Sequence, residues 1–115
     1  MTDGLIVKEP YATQLVTGKK NVEFRSKPLP KYKTNVKIFI LNGGFVKGYV
    51  VFSHNDIDDY GRHMYHVSEH KQFSPYMKYK HKNGCIVWIN NVDFYEWTLV
   101  LVLLIAQFTE NQWKN

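Results

Sequence analysis

Around Asn42-Gly43-Gly44 two apolar-rich runs face each other, Val36 to Leu41 before the turn and Phe45 to Phe52 after it. Glycines tolerate the positive φ angles that a tight reversal needs, so the segment predicts a β-hairpin. That commits the centre of the chain to antiparallel sheet. Ahead of it, Leu5 to Lys8 predicts a first strand. Pro10, at a first helical position, opens two helical turns over Tyr11 to Thr17, and Gly18 ends them. Tyr11, Leu15 and Val16 are expected to face inward. Asn21 to Arg25 alternates as a strand, with Val22 and Phe24 on one face and Asn21, Glu23 and Arg25 on the other. Ser26 to Thr34, with Pro28 and Pro30, is a stiffened basic loop excluded from sheet interior. Beyond the hairpin, His54 to Gly61 is acidic and turn-like. Helical pieces are expected between Arg62 and His81, with Ser74-Pro75 as cap and first position. Gly84 to Asn90 and Val92 to Trp97 read as further strands. This order predicts an α+β domain on a small curved or closed sheet with short flanking helices. The early helix also permits a parallel βαβ start, although the later hairpins argue against it.

A chain of 115 residues forms one domain. Its abundant apolar and aromatic residues argue against disorder. The single cysteine, Cys85, excludes an intramolecular disulfide and any cysteine-based zinc finger, and its apolar neighbours predict a buried structural thiol. No signal peptide is evident. The most apolar stretch, Thr98 to Phe108, is well short of a bilayer span and reads as a buried strand or short core helix. A soluble cytoplasmic protein without a membrane partner is expected; the sequence leaves its oligomeric state open.

The formal charge of +5 is unevenly placed. Between residues 8 and 37 stand Lys8, Lys19, Lys20, Arg25, Lys27, Lys31, Lys33 and Lys37, against only Glu9 and Glu23. Such a segment favours a polyanionic partner, RNA or DNA, or else is a solvated basic face. Within it, Gly18 to Arg25 is a mixed-charge helix-to-strand junction. Glu23 and Arg25, two apart on a strand, share a face; Lys20 joins them only from a turn after Gly18. The three form either a cleft or a structural salt bridge. In a cleft, Arg25 would hold a phosphate through two parallel hydrogen bonds, Lys20 would sit by a developing oxyanion, and Glu23 would act as base or orient Arg25. Lys19 is either a cleft cation or a solvated lysine. Lys27, Lys31 and Lys33 are expected to contact phosphates, and Tyr32 either stacks on a base or packs the loop onto the domain.

Tyr11 followed by Gly18-x-Lys20-x-x-Glu23-x-Arg25 resembles the signature of the ASCH domain, a member of the PUA-like superfamily. Lys47 to Phe52 resembles that family's glycine-containing strand, and Trp88 to Val92 its later aromatic-polar strand. The resemblance covers roughly residues 4 to 97. It implies a PUA-like pseudo-barrel with a cleft beside the first helix and the motif strand, and RNA or a modified nucleotide as partner. Some members are ribonucleases. Small bacterial members acting as N4-acetylcytidine amidohydrolases place a threonine nucleophile three residues after the motif lysine, where this chain has Glu23. Glu69 is a loose counterpart of their second catalytic glutamate. The apolar segment from Thr98 onward departs from the family pattern.

On a helix, His63, His66 and His70 would share one face, a geometry open to zinc but matching no standard zinc motif. His70 is the candidate general acid, with Lys20 and Glu23, for RNA cleavage. Tyr76, Lys78, Tyr79, Lys80 and Lys82 interleave aromatic and basic side chains, as a nucleic-acid surface or an amphipathic helix does. The reading needs no cofactor and is compatible with a divalent metal. Three functions are consistent with these residues: a hydrolase acting on RNA or an acylated base, a non-catalytic nucleotide reader, and a protein-interaction factor docking through its apolar tail.

Overall fold

The computed structural model describes residues 1–96 and 103–107. One mixed sheet of six strands organises them: β1 (Gly4–Ile6), β2 (Val22–Arg25), β3 (Lys37–Asn42), β4 (Phe45–Ile57), β5 (His63–Lys78) and β6 (Trp88–Ile89), in the spatial order β2-β5-β4-β3-β1-β6. The sheet curls into a half-barrel, the α+β architecture expected. β1 runs parallel to β3, whereas the other neighbours are antiparallel. The parallel pair thus joins β1 to the third strand, while β2 crosses to the far edge.

Helix α1 (Tyr11–Thr17) has the predicted bounds, with Pro10 as its N-cap residue. Gly18 adopts φ 84° and its N–H bonds the Leu15 carbonyl, so the left-handed stop is filled by the residue that reaches it without strain. Ala12, Leu15 and Val16 pack on Leu5, Ile38, Ile40, Val50, Phe52 and Tyr65. A second cluster, with Leu41, Val46, Tyr79, Ile89 and Val92 at its centre and Phe39 packed against it, covers the other face. The run Ile38-Phe39-Ile40-Leu41 is therefore apolar throughout because both of its faces are covered.

Several expectations give way. No helix forms between Arg62 and His81; that segment is the 16-residue strand β5. A turn closes it onto β4, where the Asp58 carboxylate accepts from the Tyr60 and Arg62 N–H groups and from Arg62 Nε. β4 extends to Ile57 and needs a partner along its whole length, and this pairing overrides the local cap signal at Ser74-Pro75. That dipeptide lies in a wide bulge: between the pairs Gly48↔Gln72 and Val46↔Met77, Lys47 alone opposes Phe73, Ser74, Pro75 and Tyr76. The two strands expected after Gly84 shrink to β6 and an isolated bridge between Tyr79 and Phe94. Cys85 is only half buried. Of the apolar segment, 103–107 is helical with Leu103 and Leu104 exposed rather than in the core, and 98–102 and 108 lie outside the described residues. No helix among the described residues is long and apolar enough to cross a membrane.

Candidate functional site

Strand β2 is turned the other way from its sequence pattern. Glu23 is 4% exposed, whereas Phe24 is 38% exposed. The reason is register: Glu23 opposes Tyr65, itself buried against Phe52, so the charged face of β2 lies against the core. A carboxylate there requires partners, and it has three. Glu23 Oε1 accepts from Lys20 Nζ at 3.0 Å and from the Phe24 N–H at 3.1 Å. Oε2 accepts from Arg25 Nη2 at 3.3 Å. Lys20 reaches the carboxylate from the turn after Gly18, which is closed by its own N–H on the Gln14 carbonyl. Lys20, Glu23 and Arg25 therefore converge, as cleft and as salt bridge at once.

These residues line a cavity of about 670 Å³ between α1, β1 and β2. Tyr11 and Phe24 form its aromatic walls, and each carries a cation on its ring face. Lys20 Nζ lies 4.4 Å from the Tyr11 centroid and the Arg62 guanidinium 4.4 Å from that of Phe24. Lys8, Ser26 and Ile86 complete the rim. With Lys8, Lys20, Arg25 and Arg62 against Glu23, the cleft is cationic.

Arg25 is more constrained than expected. Nη2 carries two protons, one donated to the Ile6 carbonyl at 2.9 Å and the other to Glu23. Only Nη1 and Nε are left without a hydrogen bond to the described residues, and they do not lie on one edge of the fork. Arg25 thus offers a phosphate single bonds rather than a parallel pair.

The remaining candidates separate. His70 does not line the cavity; its Nδ1–H donates to the Val16 carbonyl at 3.1 Å and its ring packs against Gly18, so it braces the end of α1. The helical face proposed for His63, His66 and His70 does not exist, since all three sit on β5. Lys33, expected on phosphate, is 1% exposed; its ammonium donates to Asp3 at 2.8 Å and Asn90 at 3.0 Å and lies over Trp88. The short 3-10 turn Lys31–Lys33 (Lys31-Tyr32-Lys33) has three residues per turn and turns one of the three inward, which buries this lysine and leaves Lys31 and Tyr32 outside. Lys19 and Lys27 are exposed. Glu69 is exposed on β5, opposite Val51. Two residues that line the cleft were not among the expected site residues. Tyr11, expected to face inward, is half exposed at the cleft, and Arg62 enters from the β4–β5 turn; the first was marked by its place in the family signature, and nothing local marked the second.

No curated protein matches the chain. Among protein families, the ASCH domain matches residues 5–102, most of the chain and all of the cleft. The chain belongs to the ASCH domain family, a PUA-like family associated with RNA binding.

Proposed function

We propose that the cleft binds one nucleotide of an RNA strand, or a modified nucleotide, with the base against Tyr11 and Phe24 and the phosphate near Lys20, Arg25 and Arg62. The observation that carries this reading is the buried Glu23 carboxylate, which holds two cations at the wall of an aromatic-sided cavity of about 670 Å³. That volume lies in the range of small-molecule sites. Aromatic and guanidinium planes accept any base by stacking, and the cations supply the charge complement. Glu23 has both lone pairs of Oε1 and one of Oε2 committed, so its part is to position Lys20 and Arg25.

The test is binding of labelled single-stranded RNA and of free nucleoside monophosphates. Tyr11→Ala should weaken binding by about 1–3 kcal/mol, the worth of one stacked base. Lys20→Ala should weaken it across all sequences alike. Equal affinity in wild type and in both variants would remove the cleft as the site. The Lys20–Glu23 contact at 3.0 Å also supports a second reading, hydrolysis of RNA or of an acylated cytidine. Incubation at high protein concentration, with and without chelator, decides that reading by the presence of product.

A further inference from the structure

Three side chains that take no part in the cleft come together on the β4–β5 ladder. His54 pairs with His66 across the strands, and Asp56 lies two residues on from His54, on the same face. The two imidazoles stack, with centroids 4.3 Å apart and planes 8° apart. Asp56 Oδ2 is 3.1 Å from His66 Nε2 and 3.8 Å from His54 Nε2. One donor atom from each of the three residues lies within 4.8 Å of the others.

Two details bear on what belongs among them. His66 Nε2 is buried and makes no hydrogen bond of proper geometry to the described residues, although Asp56 is close. A buried ring nitrogen in that state is costly unless something else engages it. His54 Nδ1 lies 2.8 Å from Ser53 Oγ, and that hydroxyl donates to the His66 carbonyl. A hydroxyl whose proton is given to a carbonyl accepts from Nδ1–H, which leaves the lone pair of His54 on Nε2, the atom facing Asp56.

We infer that His54 Nε2, Asp56 Oδ2 and His66 Nε2 bind a divalent transition-metal ion of the zinc class. Nitrogen and oxygen ligands at about 2.0–2.1 Å in a tetrahedron stand roughly 3.4 Å apart, and the two measured separations, 3.1 and 3.8 Å, bracket that spacing. Parallel rings do not aim both lone pairs at one point, so one ring turns about its Cβ–Cγ bond, a soft torsion. His54, with its side chain 58% exposed, has room to do this, the turn loosening its contact with Ser53. Two imidazoles and one carboxylate select zinc-like ions over magnesium and calcium, which favour all-oxygen shells. Three protein ligands leave the fourth position to water. The ion pins β4 to β5 beside the register shifts at Val51/Phe52 and Phe52/His54. The site is separate from the cleft: His66 opposes Val22, while Glu23, the next residue on β2, points to the other face.

Titrating the whole chain with zinc chloride by calorimetry, and with cobalt chloride by visible absorption, should show one ion bound per chain, while magnesium chloride gives none. His54→Gln and Asp56→Asn, both at exposed positions, should weaken zinc binding by at least about tenfold without changing affinity for RNA. His70→Gln and His81→Gln should leave zinc binding unchanged. Absence of zinc binding, undiminished binding in both ligand variants, or one ion per two chains would overturn the site and leave Asp56 and His66 as an ion pair only.

Discussion

Glu23 and Lys33 are the charged residues buried among the described residues, and each is neutralised by groups brought from elsewhere in the fold. For Lys33 those groups are Asp3, from the first strand's approach, and Asn90, just after β6. Burial alone would raise the Asp3 carboxyl. The hydrogen bonds from Lys33 and the Asn91 N–H, with the lysine charge, outweigh it and hold Asp3 below the usual carboxylate range. A carboxyl depressed in the folded state adds stability above its unfolded value, about pH 4, and loses it as pH falls through the folded one. Resistance of the wild type to denaturant should therefore fall below about pH 4, and Lys33→Met should lessen that dependence. Lys33→Ala should cost about 3–5 kcal/mol by leaving a cavity and an unpaired acid. Lys33→Met fills the space and should cost less. Neither change should weaken RNA binding, because Lys33 has no surface to offer a phosphate.

At the scale of elements, the β4–β5 hairpin does most to shape the molecule. Gly48 is its tightest point: a Cβ there would collide with the Lys71 backbone carbonyl and press on Val16 of α1. Only a residue without a side chain lets β4 approach β5 beneath the helix. Gly48→Ala should destabilise the fold by on the order of 3 kcal/mol, measured by denaturant unfolding. Gly43→Ala, where a Cβ meets nothing, should cost less despite its positive φ. α1 was legible from its proline, its period and its glycine stop. β5 was not, because Ser68 to Gln72 is polar throughout and carries no alternation for a reader to find. Its strand character comes from the unpaired edge of β4.

Across the whole molecule, the front-loaded positive charge divides between two tasks. Lys20 and Arg25 are anchored at the cleft with Lys8 and Arg62 beside them, Lys27 and Lys31 stand exposed nearby in sequence, and Lys33 is consumed by the core. Single-strand binding loses affinity with salt at a slope of about −0.7 per phosphate contacted, so three contacts give a slope of about −2. Neutralising Lys27 and Lys31 together should flatten the measured slope, and Lys33→Met should not. A slope near zero in wild type would remove phosphate recognition from the account.

What lies within one element or one turn was legible in the chain alone: α1 and its caps, the hairpin at Gly43-Gly44, the Gly18-to-Arg25 junction and, through that junction, membership of the family. Such features depend on φ angles and side-chain periods that neighbours in the chain set together. Tertiary structure alone decided which face of β2 turns inward, that Arg62 reaches Phe24, that His70 leaves the cleft and that Lys33 is buried. Each of these follows from pairing between distant strands. A strand's alternation fixes that its two faces differ, whereas only its partner's register fixes which of them meets the core.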